Sequence, residues 1–501
     1  MKKIVRNIID YQINENIAIT SKDNLPLYYE DLKKLIHNIS GQLSANKISN
    51  TDRAAIVLPN GPHMATSFLA VSSYMSAAPL NPNYKSEEYE FYLKDLKPKI
   101  VIVEKNSKNS VVDIAKKIGI PLVEIKTSKN LPTGFFDLFD NQSKYNLPEE
   151  TDEALVLHTS GTTSRPKIVP LSNSNIFSSS SNISSSLKLT KEDHCLNIMP
   201  LFHIHGLIAV LAASMKVGAS VCASEGFNAL KFLELASSEK ITWYSGVPTM
   251  HQTILMRANK NLEMAKNLKL RFLRSSSASL PPAIFEKLNQ VFECPVIEAY
   301  GMTEATHQMT SNPLPPQKQK PGFVGIPAGP EVCIMNEKNE ILNQGEEGEV
   351  CIKGTNVTSG YENNPEANKT SFSNGWFRTG DQGYFDQEGY LKISGRLKEI
   401  INKGGEKISP LEVDNVLMDH PAIEVAVCFG YNDKMLGEDI ATAIIIKENQ
   451  SCSEDDVKNY AKEKLAKFKI PKKIFFVEEI PKGATGKLQR NTLAKKFGLT
   501  V

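Results

Sequence analysis

The chain has 501 residues, which is enough for more than one domain with a large buried core. Its content of 41% hydrophobic and 23% charged residues is that of a globular protein, and its formal net charge of +2 gives no electrostatic basis for nucleic-acid binding. The seven cysteines lie far apart without a C-x-x-C pair, so they suit neither a zinc site nor a disulfide framework and favour a reducing, cytoplasmic environment.

The N-terminal segment begins with basic residues, and Arg6 and Asp10 interrupt its apolar positions, so we expect no secretory signal. The most apolar long window, residues 205–223, contains Lys216 and Gly218. It is too short and too broken to cross a bilayer. This window predicts a core helix followed by a strand, and we expect no membrane span.

Between residues 51 and 300, short apolar runs typical of strands alternate with helical patterns. This alternation predicts an α/β fold with parallel sheets that helices cover on both faces. In such folds ligands bind at the carboxyl ends of the strands. Polar candidates follow four of the predicted strands: Ser160, His203, Ser277 and Tyr300.

The stretch 155–170, LVLHTSGTTSRPKIVP, joins a buried strand to a loop of small hydroxyl residues and one glycine, followed by Lys167. Backbone N–H groups and hydroxyls of such a loop can turn inward, and the lysine adds a mobile positive charge, which is the chemistry of a polyphosphate cradle. The loop lacks the Walker pattern. A polar surface loop after a strand remains the alternative on this stretch alone.

Proline and glycine crowd residues 313–330, and short β-like pieces then predict a small β subdomain over 331–395. The character changes again near Arg396. Ser409 and Pro410 predict the start of a helix, as an N-cap followed by proline in the first helical position. The remainder reads as a small α+β domain. We therefore predict an N-terminal domain over 1–396 and a C-terminal domain over 397–501.

Five motifs, TSGTTSRPK, EAYGMTEAT, GWFRTGD, GRLKEIINKGGEKISP and PKGATGK, occur in the order seen in one superfamily. Together they resemble the adenylate-forming enzymes: acyl-CoA synthetases, luciferases and peptide-synthetase adenylation domains. The resemblance covers nearly the whole chain and implies two stacked, helix-covered sheets with a mobile C-terminal domain. It also implies ATP, Mg²⁺ and coenzyme A as cofactors and co-substrates, and a small carboxylic acid as the partner that is activated.

The resemblance assigns the β and γ phosphates of ATP to the first motif, through Thr159, Ser160, Gly161, Thr162, Thr163 and Lys167. Relatives usually carry glycine where this chain has Ser164 and Ile168, which departs from the pattern without moving the lysine.

In the second motif the resemblance implies that Tyr300 stacks on adenine, that Thr303 donates to the α-phosphate and that Glu304 binds Mg²⁺, a cation that prefers oxygen ligands. Asp381 would accept the ribose hydroxyls. The other implied nucleotide contacts are Glu298, Ala299, Gly301, Arg396 and Lys487. The implied catalytic residues are Lys487, Lys167, Glu304 and Thr303.

The same resemblance places a hinge at Lys398 and the tunnel for the pantetheine arm of coenzyme A at Gly404 and Gly405. Many relatives have lysine where this chain has Asn402, so a lysine role in the second step does not carry over. Lys487 matches the lysine that reaches from the C-terminal domain to the substrate carboxylate and the α-phosphate.

The stretches MPLFHIHGL (199–207) and RSSSASL (274–280) would flank the acyl pocket, with His203, His205, Ser277 and His307 as candidate acid contacts. Each of them can alternatively be a polar residue whose hydrogen bonds are satisfied within the core. A small polar acid needs donors, because a buried carboxylate without partners is costly. The longer string EAYGMTEATHQMTSNPLPP resembles that of oxalate–CoA ligases of plants and fungi.

We therefore predict an AMP-forming acyl-CoA ligase, an acid–thiol ligase, that converts oxalate to oxalyl-CoA. Another acid, such as malonate, a short or medium fatty acid or an aryl acid such as 4-coumarate, is the first alternative. A carrier-loading adenylation enzyme is the second, although residues 202–205 lack the aspartate that holds an amino-acid ammonium in such relatives. A non-catalytic binding protein is the third.

Overall fold

The computed structural model describes residues 2–22, 24–128, 130–159, 166–483 and 485–499. Within them the chain forms four sheets, which we call the six-stranded, the nine-stranded, the subdomain and the C-terminal sheet. Helices accompany the two largest sheets, and the strands there are mostly parallel. The predicted α/β fold with a small β subdomain and a small α+β C-terminal part is confirmed.

The six-stranded sheet is parallel except for its last strand, which returns antiparallel after the loop that begins at Thr159. Its strands are apolar along most of their length because both faces are covered. The helices of this region are Pro62–Ser72, Ser86–Leu96 and Val111–Ile118. In spatial order the strands are Leu122–Glu124, Ile100–Val103, Arg53–Val57, Ser76–Pro79, Glu153–His158 and Ile168–Ser172.

The nine-stranded sheet has six parallel strands in its centre and antiparallel strands at both edges. In spatial order its strands are Ile326–Pro327, His307–Ser311, Val296–Met302, Phe272–Ser275, Trp243–Gly246, His194–Asn197, Ser220–Ala223, Ile17–Thr20 and Leu27–Tyr28. The α-helices of this region are Arg6–Asp10, Tyr29–Ala45, Asn173–Ser186, Phe232–Ser238, Pro248–Asn259, Leu262–Asn267 and Pro282–Phe292.

The apolar window 205–223 folds as predicted, into a helix followed by a strand. The helix is a π-helix over His205–Ala212 that continues as a short α-helix, Ala213–Met215. All of these residues are buried. Gly206 is required because a Cβ there would lie 2.5 Å from the carbonyl oxygen of Pro200. Among the helices of the described residues, none is long and apolar enough to cross a membrane.

The β subdomain contains one antiparallel sheet and the helix Pro365–Ser371. Its strands are Glu331–Met335, Gly348–Lys353, Phe372–Ser373, Trp376–Phe385 and Leu391–Arg396. The last two strands pair so that Asp381 lies opposite Arg396. A single antiparallel pairing thus brings two of the predicted nucleotide contacts together.

The C-terminal part packs two main helices against its own sheet. The helix Pro410–Met418 is capped as predicted, since the Ser409 hydroxyl accepts from the backbone N–H of Glu412. The other helices are Glu454–Lys464 and Leu493–Lys496. The strands are Ile401–Lys403, Glu406–Ile408, Ile423–Asp433, Gly437–Ile446 and Lys473–Phe476.

Candidate active site

Neighbouring parallel strands of the nine-stranded sheet carry the candidate residues at their carboxyl ends. Ser277 follows the strand Phe272–Ser275, and Tyr300 lies near the end of Val296–Met302. His203 and His205 follow the strand His194–Asn197 and stand at the start of the π-helix. The site therefore forms where the alternation of strands and helices predicts it.

Asp381 is the centre of a polar cluster formed by predicted nucleotide contacts. Its carboxylate accepts a hydrogen bond of 2.5 Å from the Tyr300 hydroxyl and one of 3.1 Å from Arg396 Nε. Burial raises the pKa of Asp381, and the charge of Arg396 opposes that rise. The arginine side chain itself is 51% exposed, so it can also reach a ligand. The cluster offers a fixed carboxylate and a cation at one edge of the site.

Glu304 lies in the short 3₁₀ turn Thr303–Ala305 and is 6% exposed. The Tyr361 hydroxyl donates to its Oε1 at 2.8 Å, and Lys167 Nζ lies 4.2 Å from the centre of the Tyr361 ring. Burial raises the pKa of Glu304, while Tyr361 and Lys167 oppose that rise. Tyr361 thus contacts both Glu304 and Lys167, which belong to two different sequence motifs.

Tyr361 was not among the predicted site residues. The available signal was its position as the sole aromatic residue between Lys353 and Phe372 in an otherwise polar stretch. Its ring is buried although most of its neighbours in the sequence are polar.

The base of the hydroxyl-rich loop is closed by two hydrogen bonds between Thr159 and Lys167. The backbone N–H of Thr159 donates to the Lys167 carbonyl at 2.9 Å, and the backbone N–H of Lys167 donates to the Thr159 hydroxyl at 3.4 Å. The predicted phosphate contacts Ser160, Gly161, Thr162 and Thr163 lie outside the described residues.

Glu298, Ala299 and Gly301 shape the loops around the site. The Glu298 carboxylate is buried, accepts from the backbone N–H of Leu280 at 2.9 Å, and has its pKa raised to about 8 by burial. The Ala299 carbonyl accepts from the Ser276 hydroxyl at 2.8 Å. Gly301 is required because a Cβ there would lie 1.9 Å from the carbonyl oxygen of His307. One oxygen of Glu298 thus binds the loop that follows Ser277, while its Oε2 is buried without a partner in the described residues.

The loop that carries Lys487 is attached to the nine-stranded sheet region. The Thr249 hydroxyl donates to the Gly486 carbonyl at 2.9 Å, and Gly486 has a φ of +82° that favours glycine. Burial and the charge of Arg396 lower the pKa of Lys487 to about 8, while Asp381 and Glu304 oppose this shift. The C-terminal part thus delivers a lysine among the predicted nucleotide contacts.

Two predicted residues of the C-terminal part do not join the cluster around Lys487. Gly404 and Gly405 lie on an exposed turn, where the Gly404 N–H donates to the Leu436 carbonyl at 2.8 Å. Lys398 is exposed in the turn Leu397–Glu399, between the subdomain sheet and the C-terminal sheet, and its charge contributes to a lowered pKa of Lys167. The structure brings Lys487 to the site and leaves the glycine pair at the surface.

Among the predicted acid contacts, Ser277 and His307 both have positive φ angles, +75° and +93°, which are strained for residues with a Cβ. His205 holds Ser277, since its Nδ1 lies 3.1 Å from the Ser277 hydroxyl oxygen and its Nε2 lies 2.7 Å from the Ser245 hydroxyl oxygen. The ring centres of His205 and His307 are 4.9 Å apart. Strained residues held by their surroundings are typical of functional sites.

The three histidines differ in their hydrogen bonds. His205 uses both ring nitrogens, so the alternative of a satisfied core residue fits it. His203 accepts from the backbone N–H of His205 through Nδ1 at 3.3 Å, so its neutral form carries the proton on Nε2. His307 is 1% exposed, and neither of its ring nitrogens has a partner in the described part of the chain.

Burial and nearby cations keep these rings neutral. The pKa of His203 is lowered to about 3 by burial and by Lys487. The pKa values of His205 and His307 lie well below 6.5, again through burial first and then through the nearby charge of Arg274. A neutral imidazole still donates one hydrogen bond. His307 therefore offers a buried donor that nothing in the described chain accepts.

Arg274 was not weighed as a site residue, and it is fully buried next to these histidines. It donates to Gln308 Oε1 at 3.1 Å and to the Ser245 hydroxyl at 3.4 Å, and no carboxylate pairs with it among the described residues. Burial lowers its pKa to about 9, which leaves it charged at neutral pH. The signal in the sequence was a charged residue at the end of an apolar strand, FLRS.

Comparisons with known proteins reveal similar chains over nearly the full length. Residues 12–362 match the family model of AMP-binding enzymes, and residues 412–487 match that of the AMP-binding enzyme C-terminal domain. Oxalate–CoA ligase of Arabidopsis thaliana is 45% identical, and the match covers 96% of this chain and 95% of that protein. Oxalate–CoA ligase of Saccharomyces cerevisiae is 40% identical, covering 97% and 96%.

Solved structures are similar over the same extent. ATP-bound MatB from Rhodopseudomonas palustris has a TM-score of 0.89 and 26% identity, and the match covers 99% of each chain. The o-succinylbenzoate coenzyme A synthetase MenE from Bacillus subtilis, in complex with ATP and a magnesium ion, has a TM-score of 0.84 and 28% identity, covering 98% and 99%.

Proposed function

Since the chain belongs to the family of AMP-binding enzymes and is an AMP-forming acyl-CoA ligase, we propose that oxalate is the acid it activates. A carboxylate oxygen of oxalate attacks the α-phosphate of ATP, forming oxalyl-adenylate and releasing pyrophosphate. The thiolate of coenzyme A then attacks the acyl carbon, forming oxalyl-CoA and releasing AMP. Relatives that are 40% and 45% identical and are named oxalate–CoA ligases support this acid.

The observation that carries the proposal is a buried histidine without hydrogen-bond partners next to a buried cation without a carboxylate partner. His307 has two unpartnered ring nitrogens, and the buried Arg274 behind it has no carboxylate partner in the described residues. A buried polar group without a hydrogen-bond partner lowers the stability of the fold. An acceptor that arrives with the substrate best explains why His307 is left in this state. An acid with an apolar tail would leave the His307 ring without a hydrogen bond and the charge of Arg274 without a counter-ion.

Oxalate provides that acceptor because it has a second carboxylate within one bond of the first. We infer that His307, His203 Nε2 and the Ser277 hydroxyl bind this distal carboxylate. Lys487, whose charge lowers the pKa of both histidines, would contact the proximal carboxylate and the α-phosphate. His205 supports Ser277 from behind rather than touching the acid, since both its nitrogens are in use.

On the nucleotide side, Asp381 retains free lone pairs for the ribose hydroxyls beside its bonds to Tyr300 and Arg396. We infer that the Tyr300 ring lines the adenine and that Thr303 donates to the α-phosphate. Lys167 and the loop that begins at Thr159 would bind the β and γ phosphates.

The carboxylate of Glu304 fits a magnesium ion bound together with ATP. Mg²⁺ is usually held by one or two carboxylates together with substrate phosphates rather than by a cage of protein ligands. In the described residues no three metal-binding side chains cluster, whereas Glu304 stands buried beside Lys167. Bound there, the ion would neutralise phosphate charge during the displacement.

The second step requires coenzyme A to reach the adenylate. We propose that the C-terminal domain, 397–501, rotates about Lys398 relative to the domain 1–396 and carries Gly404 and Gly405 to the site as Lys487 leaves it. The exposed position of the glycine pair and the location of Lys398 between two sheets support this exchange. The seven free cysteines support a reducing compartment, and we propose a cytoplasmic location.

The test is ATP–pyrophosphate exchange with oxalate, malonate, acetate, hexanoate and 4-coumarate under identical conditions. We expect oxalate to give the highest ratio of exchange rate to half-saturating acid concentration. A higher value for hexanoate or 4-coumarate would refute the acid and leave the enzyme class intact.

A further inference from the structure

A chain of four buried or half-buried side chains runs from Arg274 through Ser245 and His205 to Ser277. We propose that Arg274 and Ser245 fix the direction of the hydrogen bonds in this chain, so that Ser277 presents its O–H to the distal carboxylate of the acid. Both would be positioning residues for acid recognition. The proposal rests on the proposed function in one respect, namely that the substrate is a dicarboxylate.

The chain is built from adjacent elements. Ser245 and Arg274 lie opposite each other in neighbouring parallel strands. The Ser245 hydroxyl oxygen lies 3.4 Å from an Arg274 terminal nitrogen and 2.7 Å from His205 Nε2. His205 Nδ1 lies 3.1 Å from the hydroxyl oxygen of Ser277. No water is needed to connect the guanidinium to the acid side of the site.

The guanidinium sets the direction because it can only donate. Its bond uses the Ser245 oxygen as an acceptor, which leaves the Ser245 proton for His205 Nε2. A neutral His205 then carries its own proton on Nδ1 and donates it to Ser277. The Ser277 proton remains free and can be donated to a carboxylate.

The opposite direction fails at both ends. If His205 carried its proton on Nε2, the Ser245 oxygen would accept twice, and its own proton would find no acceptor among the described residues. Ser277 would then spend its proton on His205 Nδ1 and turn lone pairs towards the acid. Lone pairs repel a carboxylate, whereas an O–H binds it. The buried cation therefore decides whether Ser277 attracts or repels a dicarboxylate.

Arg274 also connects to the strand of the second donor. Its other bond goes to Gln308, the residue after His307, and the Gln308 amide in turn donates to Ser186 and to the Ala328 carbonyl. One buried cation thus anchors both the serine and the histidine that face the acid.

The first test compares Ser245→Ala with Ser275→Ala. Ser275 is a matched control, since it is equally buried at the end of the adjacent strand and its hydroxyl has no partner in the described chain. For Ser245→Ala we expect the KM for oxalate to rise roughly tenfold, because the hydrogen bond from the Ser277 hydroxyl to the distal carboxylate of oxalate is weakened. The KM for ATP should match that of Ser275→Ala. Equal KM values for oxalate in the two variants would overturn the proposal.

The second test reads the direction itself. Nitrogen-15 NMR of histidine-labelled enzyme reports which ring nitrogen of His205 carries the proton, with the signal assigned from its loss in His205→Gln. We expect the Nδ1–H form in the wild-type chain and a mixture of both forms in Ser245→Ala and Arg274→Met. The Nε2–H form in the wild-type chain would overturn the proposal, and Ser245→Ala decides the matter where Arg274→Met does not fold.

The NMR result does not depend on which acid the enzyme uses. If the wild-type enzyme does not activate oxalate, the proposed function fails. If it activates no dicarboxylate at all, malonate included, the recognition role of Ser277 fails as well. The direction of the chain would still be decided by the tautomer of His205. An Nδ1–H tautomer together with an unchanged oxalate KM in Ser245→Ala would instead refute the recognition role alone.

Discussion

Replacement of His307 by alanine tests the acid side of the site. Both ring nitrogens lack partners in the described chain, so the ring has no bond to lose until an acid arrives. A hydrogen bond to a charged group is worth about 1.5–3 kcal/mol, which corresponds to roughly ten- to a hundredfold in kcat/KM for oxalate. Alanine has a Cβ as histidine does, so the substitution leaves the backbone strain at φ +93° almost unchanged.

The assay is steady-state formation of AMP with oxalate and with acetate, a monocarboxylate of similar size. We expect a large loss with oxalate and a much smaller one with acetate, which has no distal charge to bind. His307→Phe is the matched control, because it keeps the ring volume and removes only the hydrogen bond, and it should reproduce the loss with oxalate. Equal losses with both acids would show that His307 serves the fold or ATP and would refute the reasoning.

Four further predictions concern the nucleotide side and the hinge. Lys487→Ala should abolish adenylate formation and spare thioester formation from presynthesised oxalyl-adenylate; equal loss in both half-reactions, measured separately, would contradict the assignment. In the wild-type enzyme the pKa of Lys487 is lowered to about 8, so the charged form is lost as pH rises. The kcat/KM of the adenylation half-reaction should therefore fall above about pH 8, and a flat profile to pH 9.5 in this half-reaction would speak against a charged lysine there. Lys398→Pro should leave adenylation near normal and remove thioester formation, because proline fixes φ at a position that must change; a parallel loss of adenylation would place the hinge elsewhere. Tyr361→Phe keeps the ring against Lys167 but removes the bond to Glu304, so the KM for magnesium-ATP should rise roughly tenfold, while an unchanged value would make Tyr361 purely structural.

Much of the fold was predictable because its signals are local. Alternating apolar runs located the central strands, and the Ser409–Pro410 pair located the start of a helix. The placement of His203, Ser277 and Tyr300 at strand ends follows from parallel topology alone.

The hydrogen bonds of the site were not predictable from local pattern. His205 and His307 look alike in the sequence. Both ring nitrogens of His205 have hydrogen-bond partners, which lie 40 and 72 residues away, whereas those of His307 have none in the described chain. Tyr361 and Glu304 are 57 residues apart. These contacts depend on how distant strands and loops meet, which neither periodicity nor composition encodes.

A competition experiment tests most directly whether the enzyme is an AMP-forming ligase that selects oxalate. The enzyme would receive limiting ATP, coenzyme A and an equimolar mixture of oxalate, malonate, acetate, hexanoate and 4-coumarate, with acyl-CoA products and nucleotides quantified by mass spectrometry. We predict oxalyl-CoA as the main product and one AMP for each thioester formed. A different main thioester, or ADP in place of AMP, would contradict the account.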